Sequence, residues 1–88
     1  MSTHTSHPDI IKRLKRAEGH LRSILAMLET ERPCIDIAQQ LQAVESAVAS
    51  AKKTLVQDHI DHCLEHAIAE GRGAGDAIRE LKQLTKYL

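Results

Sequence analysis

Aromatic residues are almost missing from this 88-residue chain: Tyr87 stands alone, with no Phe and no Trp. A core built around large rings is therefore excluded, and Leu, Ile, Val and Ala must supply it. Glycine and proline are scarce, at four and two, and none lies between Cys34 and Glu70. No apolar run approaches the ~18 residues that a membrane span needs. The N-terminus, MSTHTSHPD, lacks the apolar segment of a signal peptide. The cytoplasm is the expected location. In that compartment two cysteines, Cys34 and Cys63, point to metal or redox chemistry rather than to a structural disulfide. Charge of one sign is missing too, since 12 basic residues balance 12 acidic ones. Whole-chain charge thus gives no reason to expect nucleic acid.

The distribution of charge says more. Between Ile10 and Arg22 lie Lys12, Arg13, Lys15, Arg16 and Arg22, against the single acid Glu18. Residues 1–8 read as a polar, flexible arm carrying His4 and His7, and residues 9–88 as one helical domain. Asp9 is the expected N-cap of a first helix. Ile10, Ile11, Leu14, Ala17, Leu21, Ile24, Leu25 and Leu28 recur at helical spacing. "ETERP", residues 29–33, should end that helix, and Pro33 suits the first turn of the next. Ile37, Leu41, Val44, Val48, Ala51 and Leu55 then form a heptad-like seam on a helix of roughly 35 residues, about 50 Å long. "GRGAG", residues 71–75, closes it, and a short third helix from Asp76 turns Ala77, Ile78, Leu81, Leu84 and Leu88 inward. The fold class is all-α, a three-helix protomer with one very long central helix. Such a helix outruns what the other two can cover in a chain this short, so its apolar seam calls for a second copy.

The soft ligands sit in "DHIDHC", residues 58–63. His59 and Cys63 are four apart and share a helix face, so both can hold one ion. His62 pairs with His66 on another face. Cys34 lies 29 residues before Cys63, roughly 44 Å along one helix, and cannot reach that ion within its own chain. Antiparallel pairing of two long helices about a dyad near residue 48 brings Cys34 of one copy beside His59 and Cys63 of the other. Two thiolates and an imidazole form a soft set, of the kind that favours Cu(I), zinc and iron–sulfur chemistry. Against this stands the plain alternative, that cysteine often serves as a small buried apolar residue and that six histidines produce some pairs by accident.

The stretches "RLKRAEGHLRSILAMLE" (13–29), "CIDIAQQLQAVESAV" (34–48) and "DHIDHCLEHAIAEG" (58–71) resemble the copper-sensing operon repressor family, which also includes nickel/cobalt and formaldehyde repressors. The resemblance implies an antiparallel dimer, two of which form a flat tetramer, and a repressor that binds operator DNA without a helix-turn-helix. It implies Cu(I) held by Cys34, His59 and Cys63, with Glu80 on the third helix orienting the histidine. Pro33 replaces the tyrosine often found before the first cysteine. The nickel/cobalt branch would add nitrogen ligands, for which His4 and His7, and also His62, are candidates with Ni(II) or Co(II). The formaldehyde branch relies on proline at residue 2, and Ser2 stands there instead.

In this reading Lys12, Arg13, Lys15 and Arg16, with Lys52 and Lys53, contact phosphates, although charges on a helix are more often simply solvated. Metal then favours a conformation whose basic faces no longer fit the duplex, and DNA must weaken metal binding in return. Two other classes compete: a thiol redox or sulfur sensor using Cys34 and Cys63, and a helical assembly protein whose Cys and His are incidental. No nucleophile–base–orienter arrangement suggests an enzyme.

Overall fold

A computed structural model describes residues 6–70 and 74–88, without the side chains at 66–70, 74 and 77. Its elements are α1 (His7–Glu29), α2 (Cys34–Glu70) and α3 (Ala74–Thr85), with no strand among the described residues. The central helix is 37 residues long, close to the expected length. The chain measures 58 × 24 × 13 Å. The last figure is about one helix diameter, so the three helices lie in a single layer. A single layer encloses nothing, and each helix keeps a face open.

Helix α1 begins three residues earlier than expected. Ser6 occupies the N-cap position, Pro8 lies in the first turn, and Asp9 is already helical. Pro8 fits there because the first-turn N–H groups have no helical acceptor. Asp9 still serves that end: its carboxylate sits at the positive pole of the helix and pairs with Arg13 at 2.8 Å. At the other end Arg32 N–H donates to Met27 O and Glu31 N–H to Leu28 O. This crossed pair is a Schellman closure, and it places Glu31 at φ 55°, where glycine is the usual occupant. Pro33 stands just before α2, not in its first turn, and its carbonyl accepts from the N–H groups of Asp36 and Ile37.

The two apolar stripes are divided by the packing. On α1, Ile10, Ala17 and Ile24 are buried, at seven-residue steps. On α2, Ile37, Val44 and Ala51 are buried with the same step, and Ile24, Ile37, Val44 and Met27 form one cluster. The remaining members of both stripes stay open: Ile11, Leu14, Leu21, Leu25 and Leu28 on α1, and Leu41, Val48 and Leu55 on α2. Helix α3 packs along the later part of α2 and, among the described residues, does not meet α1. It starts at Ala74, not Asp76. Leu81 and Leu84 are half-buried as expected, whereas Ile78 is exposed because α2 is the one described neighbour of α3, and Leu88, beyond the end of the helix, is exposed too. Ala77 lies outside the described side chains. No helix among the described residues is long and apolar enough to cross a membrane.

Candidate metal centre

His59 and Cys63 lie one turn apart on α2, and α3 brings Glu80 against both. Their ligand atoms all fall within 4.8 Å of one another. Glu80 Oε1 is 3.2 Å from His59 Nε2, and the Cys63 thiol donates to Glu80 Oε2 at 2.5 Å. Cys63 is buried, while His59 and Glu80 are half-buried. When Nε2 carries the proton and donates it to the carboxylate, the lone pair falls on Nδ1, so Glu80 fixes the tautomer as well as the ring orientation. The carboxylate was expected beside the histidine; its bond to the thiol was not. That bond was hidden because it needs the α2–α3 register, which the glycine-rich connection does not reveal.

The donor set fits a soft ion in kind: one sulfur, one imidazole nitrogen and a carboxylate that bonds to both. Cys34 is the first residue of α2 and is exposed. It is 29 residues from Cys63 along the same helix, so the protomer does not bring it to the cluster. His62 is half-buried on α2, and His7, half-buried, opens α1. His4 and the side chain of His66 lie outside the described residues.

The proposed phosphate contacts Lys12, Arg13, Lys15, Arg16, Lys52 and Lys53 are all exposed. Arg13 and Arg16 border a groove between α1 and α2 that Ala17, His20, Ala47 and Ser50 complete. Arg13 reaches Ser50 Oγ at 3.5 Å, and His20 Nε2 lies 2.5 Å from Gln40 Oε1. Lys52 and Lys53 line a second hollow, with Ala49, Tyr87 and Leu88. The sequence reading had missed His20 and Ser50. The available signal was heptad spacing, since Ser6, Arg13 and His20 repeat every seven residues on α1 beside the buried Ile10, Ala17 and Ile24.

These observations define a class: a single-layer helical protein with a soft-ligand cluster at one end of its long helix and a basic helix along the other half. The chain matches the model of the metal-sensitive transcriptional repressors over residues 6–87 and belongs to that family. It is 39% identical over 77 residues to the copper-sensing transcriptional repressor CsoR of Mycobacterium ulcerans, a match that covers 88% of this chain but only 65% of that protein. Among solved structures, the nickel-responsive transcriptional regulator InrS superposes with a TM-score of 0.85 at 30% identity, covering 100% of this chain and 99% of the other. The copper-sensing repressor CsoR with Cu(I) from Geobacillus thermodenitrificans gives 0.81 at 38% identity, over 98% and 88% of the two chains.

Proposed function

We propose that this chain is a Cu(I)-responsive transcriptional repressor, acting in the cytoplasm as a homodimer that doubles to a homotetramer and releases operator DNA when the metal binds. The observation that carries this reading is the symmetry of the open row on α2. Leu41 and Leu55 lie seven residues on either side of Val48, and Cys34 and His62 lie fourteen on either side. A second copy laid antiparallel about Val48 covers the row with itself. It also sets Cys34 of the partner subunit opposite His62, on the turn between His59 and Cys63. The same contact that removes the apolar row from water thus completes a thiolate–imidazole–thiolate set. The open stripe on α1 flanks that row and lets two protomers close as a four-helix arrangement.

Bound Cu(I) would supply only its preference for soft ligands. The rest is done by the chain. His59 and Cys63 offer their atoms from one helix face, Glu80 orients the imidazole and ties α3 to it, and Cys34 makes occupancy a property of the pair. Lys12, Arg13, Lys15, Arg16, Lys52 and Lys53 supply phosphate contacts, with a steep salt dependence. Without a recognition helix, specificity rests on the shape of the duplex.

Release of an operator fragment by Cu(I), Ni(II), Co(II) and formaldehyde, measured side by side, tests the reading. Cu(I) should act at the lowest free concentration. Cys34→Ala should weaken Cu(I) by more than the ~10–100-fold that loss of an outer partner costs, with the helical content unchanged. Release by Ni(II) alone, lost when residues 2–7 are deleted, would instead support a nickel repressor. The superposition on InrS and the place of His62 on the open row favour that as the second reading. Oxidant-driven release with a Cys34–Cys63 disulfide would support the thiol sensor.

A further inference from the structure

Polar side chains cross the α1–α2 seam at three described levels: Ser6 with Asp58, Arg13 with Ser50, and His20 with Gln40. The first is unusual for its chemistry. A serine at an N-cap ordinarily accepts from the exposed N–H groups of its own helix. Ser6 makes no such capping bond. Its hydroxyl is turned across to the neighbouring helix, where it donates to Asp58 Oδ2 at 2.5 Å in a half-buried setting. Asp58 is the residue immediately before His59.

We propose that Ser6 and Asp58 are a positioning pair that couples the metal-bearing turn of α2 to the orientation of the basic helix α1. The inference rests on the repressor reading above. Its physical basis is the layout of the layer. Among the described residues α3 does not meet α1, so a change at His59, Cys63 and Glu80 reaches α1 through α2. Of the three described levels, Ser6–Asp58 is the one next to a ligand. Helix α1 runs 23 residues without a break and moves as a rod, with Lys12, Arg13, Lys15 and Arg16 starting less than two turns after Ser6. Below this level the seam is held by the buried Ile10, Ala17 and Ile24 and by the Arg13–Ser50 and His20–Gln40 contacts, neither of which adjoins His59 or Cys63. A hydrogen bond to a carboxylate is directional and fixes the end of the rod to the turn that holds His59. Nothing in the apolar seam itself would require a hydroxyl here.

The test uses the full chain, an operator fragment, and Cu(I) supplied anaerobically through a competing chelator. Operator affinity is measured with and without Cu(I), Cu(I) affinity without DNA, and thermal stability alongside. Ser6→Ala should leave Cu(I) affinity and metal-free operator affinity unchanged. It should shrink the Cu(I)-induced loss of operator affinity by about tenfold, the worth of one hydrogen bond to a charged group. Ser6→Thr, which keeps the hydroxyl, should preserve the wild-type response. In an Asp58→Ala background, adding Ser6→Ala should change nothing further. Full wild-type release by Ser6→Ala overturns the proposal, whether or not its thermal midpoint falls, since a fall alone marks a purely structural cap. Wild-type protein that keeps its operator under Cu(I) overturns the repressor reading and this inference with it.

Discussion

Two rows of aliphatic residues run along α2, four residues apart and equal in spacing, yet they meet different fates. Ile37, Val44 and Ala51 are 7%, 6% and 2% exposed; Leu41, Val48 and Leu55 are 46%, 43% and 39% exposed. The first row is closed by α1 of the same chain. The second lies about 40° further round the helix, at the edge of that contact, and stays partly open because the molecule is one helix thick. The difference separates two jobs that a single apolar stripe would blur. One row holds the protomer together, and the other is the row that the proposed second copy would cover. It is the open row whose heptad extends to Cys34 at one end and His62 at the other. In the proposed dimer, folding would thus fall to residues with no link to metal, and assembly to residues in register with the candidate ligands.

The sharpest way to break the comparison is to place a carboxylate in each row. Val44→Asp buries an unpaired charge in the closed row and should cost about 4 kcal/mol or more. Helicity by circular dichroism should then be lost at every protein concentration. Ile24→Ala, on the α1 side of the same cluster, should cost about 2–5 kcal/mol by leaving a cavity. Val48→Asp should behave differently. In the proposed pair it would set two carboxylates against each other near the dyad. Helicity should persist at high protein concentration and fall on dilution, with sedimentation reporting a smaller species. Cu(I) affinity should drop as it does for Cys34→Ala, although Val48 is no ligand. If Val48→Asp assembles and binds Cu(I) like the wild type, the open row is not the interface.

Much of this was legible in the residues. The absence of Gly and Pro from Cys34 to Glu70 marked the long helix, and the four-residue step from His59 to Cys63 marked a shared ligand face. The division of the α2 seam was not legible. Positions four apart on a helix differ by only about 40° around the axis, so periodicity assigns Ile37 and Leu41 to one stripe. Which of them is covered depends on where α1 lies, and that is set by the turn at residues 30–33. The start of α1 was ambiguous for a related reason. Ser6 and Asp9 are both good caps, and Ser6 takes the position while spending its hydroxyl on Asp58. The response of Cys63 to Glu80 depended on the approach of α3, whose contacts span 17 residues of sequence.

The turn itself gives the gentlest test, because it can be changed without touching either row. Glu31 holds φ 55° in a closure where a side chain is crowded against the backbone. Glycine accepts that conformation freely but gives up more chain entropy on folding. The two effects oppose, and relief of the strain should prevail by about 0.5–1 kcal/mol in Glu31→Gly. Chemical denaturation should therefore move to higher denaturant with an unchanged slope. The sedimentation profile and Cu(I) affinity should stay as in the wild type, since α1 still closes the same row. A variant that gains stability but changes its assembly would mean that the turn sets the open row as well as the closed one, and the two rows would then not be independent.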